Sequence, residues 1–177
     1  MSETEGTEER TSNPMQAPRI GKVVINMSVG QSGEQLQKAM TVLEQLTGQK
    51  PCQRLAKKTI KEWNIRKGEP IACIVTLRKQ TAEDFLKRAF EAIGNKLSSS
   101  SFDRLGNFAF GIDKHIDIAG TRYDPKLGIF GMDVCVSMRK AGYRVRRNSE
   151  MRTVGIKQRV TQEEATAYLR EQFGINV

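Results

Sequence analysis

The chain has 177 residues, enough for one domain with a core of its own, and carries 29 Lys and Arg against 20 Asp and Glu, a formal net charge of +9. Charge on this scale speaks to an anionic partner rather than to a fold. With no long apolar run, signal peptide or lipidation motif, the sequence argues against a membrane as that partner.

Residues 1–18 hold Glu3, Glu5, Glu8 and Glu9 against Arg10 and little that could bury surface, so they are expected to form a disordered acidic arm ahead of a single domain over 19–177. The arm's charge is −3, which leaves +12 on the rest of the chain. From Lys22 to Val29 the residues alternate, with Val23, Ile25, Met27 and Val29 on one side and Val24, Asn26 and Ser28 on the other. That pattern predicts a strand with one apolar and one largely polar face. Ser32-Gly-Glu-Gln35 is a capping-box pattern, and Leu36, Ala39, Met40, Leu43 and Leu46 recur at helical spacing, predicting a helix over 33–47 that stops at Gly48.

The next segment is the most highly charged. Seven of the nineteen residues from Lys50 to Gly68 are basic and only Glu62 opposes them; the segment also holds the chain's one tryptophan, Trp63. Lys and Arg supply attraction to phosphate, while Thr, Asn, Gln and an aromatic ring add hydrogen bonds and stacking. A second basic block, Arg139 to Arg159, has eight Lys and Arg against Glu150 alone. Two such blocks in a small chain make nucleic acid the first partner to consider, although a solvated charge run would have the same composition.

Two more segments alternate like the first. Ile71, Cys73, Val75 and Leu77 form one apolar set with Thr76 and Arg78 opposite; Met132, Val134, Val136 and Met138 form another, with Asp133, Ser137 and Arg139 opposite. A shorter piece alternates Phe108, Phe110 and Ile112. Further helices are predicted at 81–95, presenting Phe85, Leu86, Ala89, Phe90 and Ile93, and near 162–173, where Thr161-Gln-Glu-Glu164 is a second capping box. Strands with one solvated face imply an α+β fold: an antiparallel sheet, helices packed on one face, an open polar face, and basic loops at the edges. Such a face can dock on RNA shape, and Asn26 and Ser28 are its best candidates because Gly30, Gly33 and a helix start follow them.

Other chemistry is thin. Gly30-Gln-Ser-Gly33 matches the bare GxxG of KH modules, a weak signal without charge on the intervening pair. Cys52, Cys73 and Cys135 are odd in number, lack close metal-ligand spacing and suit a reducing cytoplasm. His115 is the only histidine; with Asp113 and Asp117 it offers the one conceivable acid–base or metal group, and no second ligand cluster supports it. No phosphate loop, dinucleotide fingerprint or nucleophile elbow is present, so neither a catalytic residue, a metal ligand nor a cofactor is assigned. A free-standing RNA-binding regulator stays open as an alternative.

Several ordered motifs carry a resemblance. Ile25-Asn-Met-Ser-Val-Gly30, Leu46-Thr-Gly-Gln-Lys-Pro51, Ala56-Lys-Lys-Thr59, Ile65-Arg66, Val75-Thr-Leu-Arg78, Phe102-Asp103, Gly106-Asn107 and Gly131-Met-Asp133 follow one another in the chain. Together, over roughly residues 14–173, they resemble the L-five family of large-subunit ribosomal proteins, which binds 5S ribosomal RNA. Asn107 to Asp113, His115-Ile-Asp117, Tyr123-Asp-Pro125 and the arginine-rich 139–159 segment are similar to its archaeal and eukaryotic branch, and the short C-terminus favours an archaeal member. The acidic residues 2–9 are not part of the pattern.

The resemblance implies a structural, non-catalytic component of the central protuberance of the cytoplasmic ribosome. Its implied partners are 5S ribosomal RNA, large-subunit ribosomal RNA, P-site transfer RNA, neighbouring large-subunit proteins and a small-subunit head protein at an intersubunit bridge. Carried over by position, Asn26, Ser28, Gly30, Gly48, Gln49, Lys50, Pro51 and Arg54 would contact 5S RNA. Lys57, Lys58, Thr59, Arg66 and Lys67 would lie on the loop that reaches towards transfer RNA, and Arg144, Arg146 and Arg147 would meet other ribosomal RNA. Trp63 stands near where the family pattern has phenylalanine, and would either stack on RNA or anchor the loop in the core.

Overall fold

The computed structural model describes residues 15–121, 123–143, 145 and 153–176. Most of the acidic arm and all three arginines Arg144, Arg146 and Arg147 lie outside the described residues. In chain order the elements are β1 (Arg19–Ser28), α1 (Glu34–Thr47), β2 (Cys52–Leu55), β3 (Pro70–Leu77), α2 (Gln80–Ala92), β4 (Phe108–Ile112), β5 (Met132–Arg139) and α3 (Gln162–Phe173). The strands form one five-stranded sheet in the order β2-β3-β1-β5-β4, antiparallel throughout. This is the α+β architecture expected from the alternation.

The first strand is the spine of the sheet. Ile25 faces Val75 on one neighbour and Val134 on the other, so the apolar sets of three strands line up on one side. Val23, Ile25, Met27, Cys73, Val75, Leu77, Val134 and Val136 are buried there with Leu36 and Leu43 of α1, Phe85, Leu86 and Phe90 of α2, and Ala165 and Leu169 of α3. Phe90 is the hub of an aromatic cluster, its ring centroid 5.3 Å from Phe110, 5.4 Å from Phe173 and 6.3 Å from Phe108. Removing this much apolar surface from water is what holds helices to sheet.

The Thr161 capping box forms as expected: the Thr161 hydroxyl accepts the Glu164 amide and the Glu164 carboxylate accepts the Thr161 amide. The Ser32 box does not form. Gly33 is the N-cap of α1, no side chain caps it, and the Ser32 hydroxyl donates instead to Glu69. The second helix ends earlier than the expected 95, because Gly94 and Asn95 adopt left-handed φ values of 68° and 55°. Nothing in the sequence pattern predicts β2: its four residues are exposed and show no alternation, and it exists by pairing with the edge of β3.

Candidate nucleic-acid interface

One face of the sheet carries no helix among the described residues. Strand pairing places Cys52, Ile74, Asn26, Asp133 and Gly111 in one row across it. Arg54, Ala72 and Ser28 form the next row, so Arg54 and Ser28 stand roughly 10 Å apart, two strand spacings. Asn26 Nδ2 donates to Ser28 Oγ at 3.1 Å, which orients the amide along the face. Cys135 is exposed on this face and Cys73 is buried on the other, where burial pushes its thiol up to about 11. A groove of about 420 Å³ runs beside the row at the β1–β5–β4 side, lined in part by Lys22, Val24, Asn107 and Ser137.

The end of the face with Ser28 and Arg54 is also where the basic loop leaves the sheet. The loop is a closed hairpin rather than a loose tether. Ala56 and Glu69 pair at its foot, Gly68 donates back to Ala56, and Ile60 and Ile65 exchange both backbone hydrogen bonds near its tip. Lys61 to Trp63 make one 3-10 turn, which Asn64 ends in the left-handed region at φ 53°. The Thr59 hydroxyl oxygen accepts the Lys67 amide at 3.0 Å, tying the two arms. Lys57, Lys58, Arg66 and Lys67 are exposed on this frame. Trp63 is 68% exposed, so it does not anchor the loop in the core.

Glu69 locks the loop's foot. Its carboxylate accepts the Ser32 hydroxyl at 2.5 Å and the Arg66 amide at 3.0 Å. The Ser32 hydrogen bond first, and the Arg66 amide second, hold this carboxyl below its ordinary value. The sequence carries a trace of this residue, an acid just past the basic block, but nothing local says what it binds. Gly30 belongs to the same corner, since its amide donates to the Ile71 carbonyl at 3.0 Å with φ 79°. Gly48, Gln49, Lys50 and Pro51 sit instead at the other end of β2. Gly48 takes φ 65° to end α1, Gln49 and Lys50 are exposed, and Pro51 is buried.

Only two ion pairs occur among the described residues: Glu34–Lys38 along α1, and Lys140–Glu164. Lys57, Lys58 and Lys67 therefore have no protein carboxylate to neutralise them there. Lys140 is a different case from the rest of the second basic block. It is 5% exposed and its ammonium donates to Glu164 at 2.7 Å, a structural contact that withdraws it from any RNA surface.

His115 is also structural. It is buried, its amide donates to the Phe130 carbonyl and its Nδ1 accepts the Phe130 amide at 3.2 Å, clasping two turns together. Asp113 and Asp117 are exposed, and no group of three His, Cys, Asp or Glu side chains could hold a metal ion among the described residues. An exposed polar sheet face, a hydrogen-bonded basic hairpin beside it and lysines without a carboxylate partner among the described residues make a surface suited to a folded polyanion.

Comparison with known proteins agrees with that chemistry. Residues 13–66 match the model of the family described as "Ribosomal protein L5", and residues 70–175 match the model of the C-terminus of that same ribosomal family. The chain is 49% identical to the large ribosomal subunit protein uL5 of Aeropyrum pernix, over 95% of this chain and 88% of that one. It is 49% identical to uL5 of Pyrobaculum aerophilum, over 93% of each, and 45% identical to uL5 of Sulfurisphaera tokodaii, over 96% and 97%. These relatives are archaeal, and the family is structural rather than enzymatic, at work in the cytoplasmic ribosome with ribosomal RNA and neighbouring ribosomal proteins as its partners. The chain belongs to the ribosomal protein L5 family, the uL5 proteins of the large ribosomal subunit.

Proposed function

We propose that within the large subunit this protein holds 5S ribosomal RNA in the central protuberance, through the corner where the open sheet face meets the β1–α1 turn. The observation that carries the reading is the placement of Asn26, Ser28, Gly30 and Arg54 at one end of a helix-free face, directly beside the foot of the basic hairpin. Gln49, Lys50 and the turn from Gly48 to Pro51 extend the contact along β2. The hairpin from Lys57 to Lys67 projects its cations and Trp63 away from the sheet and reaches the P-site transfer RNA. Arg144, Arg146 and Arg147 meet large-subunit RNA, and the exposed remainder bridges to a protein of the small-subunit head.

The division of labour is physical. Cations neutralise phosphates and release counterions, which gives affinity with little selectivity. Hydrogen-bonding groups held in fixed register on the sheet select one folded RNA by its shape and 2′-hydroxyls. The test is a salt titration of binding to 5S ribosomal RNA, transfer RNA and an unrelated hairpin of matched length. A preference for 5S RNA that persists as salt rises supports the reading. Equal affinities that collapse together would replace it with general, charge-driven RNA binding.

A further inference from the structure

We propose that the groove at the β1–β5–β4 side of the open face is a site for one unpaired guanine base of an RNA. Its floor is a single row of the sheet. Strand pairing puts Val24 opposite Cys135 and Cys135 opposite Ala109, and all three residues line the groove. Their side chains are short and carry no charge, and a space of about 420 Å³ stands open above them. Such a floor offers nothing to a phosphate, whereas the flat face of a nucleobase can lie against it.

The chain just before β4 builds one wall. Phe102 bridges to Phe108, the Asp103 amide donates to the Asn107 carbonyl at 2.7 Å, and the Gly106 amide donates to the Asp103 carbonyl at 2.9 Å. Gly106 takes φ 68°, and a β-carbon there would fall 2.8 Å from Val160 Cγ1 and 2.9 Å from the Thr161 carbonyl oxygen. The turn is therefore pressed against the segment that leads into α3. That contact fixes the backbone of Asp103 and Asn107 at the rim.

The polarity of the rim selects the base. Asn107 Oδ1 accepts the Met138 amide at 3.1 Å, which sets the orientation of the side-chain amide and leaves Nδ2 as a donor. No buried side-chain nitrogen or oxygen lacks a partner among the described residues, so Nδ2 reaches the surface that the groove forms. Asp103 Oδ1 accepts the Arg104 amide at 2.7 Å, and the carboxylate forms no ion pair among the described residues. A carboxylate here repels phosphate, and it equally opposes the ring N1 of adenine, which is an acceptor. Guanine instead presents two donors, N1–H and the N2 amine, beside its O6 acceptor. Asp103 accepts from the two donors and Asn107 Nδ2 donates to O6. Lys22, exposed at the opposite rim without an ion pair among the described residues, meets the phosphate next to the base. The site lies across the sheet from the Arg54 corner. It needs only that RNA meets the open face, whichever RNA that is.

The experiment titrates the full chain with guanosine, inosine and adenosine 5′-monophosphates and reads binding from the amide resonances of Val24, Ala109 and Cys135. Guanosine monophosphate is expected to bind there about tenfold more tightly than adenosine monophosphate. Inosine monophosphate, which lacks the N2 amine, should fall between them. Asp103→Asn keeps an acceptor for the Arg104 amide and should abolish the preference for guanosine. Because it also removes a negative charge, equal tightening of all the nucleotides with the preference intact would mean that charge alone acts, and would overturn the proposal. Ala109→Leu fills the floor from an exposed position and should weaken every nucleotide about fivefold while the core resonances stay in place. Equal affinities in the native chain, or resonance changes confined to the basic hairpin, would also overturn the site and leave the groove to a protein segment. A preference for 5S RNA can survive either result, so the two readings fail separately.

Discussion

The hydroxyl of Ser32 donates to the carboxylate of Glu69 at 2.5 Å, joining the turn after β1 to the foot of the basic hairpin. The same carboxylate accepts the Arg66 amide, so a single side chain positions one loop against another. Glu69→Ala is expected to speed hydrogen exchange at Arg66 and Lys67 by several-fold while leaving the melting temperature nearly unchanged, since the tie is exposed and remote from the core. The folded carboxyl sits below its ordinary value of 4.5, so its stabilising effect is complete above that value and is lost as pH falls through the lower folded one. Exchange at Arg66 measured from neutral pH downward, after correction for intrinsic rates, should therefore stay protected through the ordinary carboxylate range and rise only below it.

Lys140 and Glu164 differ in exposure, and the asymmetry predicts unequal costs. Lys140 is 5% exposed, whereas the Glu164 side chain is 40% exposed. Lys140→Met leaves a carboxylate that water can still reach and should cost about 1 kcal/mol. Glu164→Ala leaves a buried ammonium without its partner and should cost about 3 kcal/mol. Part of that second loss is the helix cap, which Thr161→Ala isolates at about 1 kcal/mol. Urea denaturation of the three variants checks the order.

Asn26 and Lys58 separate selectivity from affinity. Asn26→Ala should reduce the preference for 5S RNA over other RNAs, because its amide lies in fixed register on the sheet face. Lys58→Ala should weaken binding to every RNA alike and flatten the log–log salt slope by about one unit. Equal loss of preference from both substitutions would contradict this assignment.

The three cysteines form a natural footprinting set. Cys52 and Cys135 are exposed and lie on the open face, whereas Cys73 is buried with its thiol pushed up to about 11. A thiol reagent at pH 8 should modify Cys52 and Cys135 quickly and Cys73 only on unfolding. Bound 5S RNA should slow modification of Cys52, which shares a row with Ile74 and Asn26.

Phe90 meets the rings of Phe108, Phe110 and Phe173, and so joins α2 to β4 and α3. Phe90→Ala should cost about 3–5 kcal/mol through lost burial and an unfilled cavity. A melting temperature within a few degrees of the native one would show that the cluster collapses to fill the space.

Whatever depended on a short-range period was determined by the sequence. The alternation around Val23, Cys73 and Val134 set which side of each strand is buried, and the helical recurrence of Leu36, Leu43, Phe85 and Phe90 set the helix faces, because each pattern is written within one element. The Thr161 box is equally local, both partners lying within one turn. The basic character of Lys57 to Lys67 and the candidates Asn26 and Ser28 were legible for the same reason. What required a partner distant in the chain was decided only by tertiary structure. Ser32 had a local role open to it as a cap, but the carboxylate of Glu69, 37 residues away, accepts its proton instead. Strand β2 has no pattern of its own and is a strand because β3 offers it an edge. Lys140 reads as one more cation of a basic block, and is buried just past the end of β5 because Glu164 waits on α3. A hydrogen bond or ion pair made across the fold leaves no periodic signal in the residues that make it, and those contacts turned a set of two-faced elements into one surface with its basic hairpin held in place.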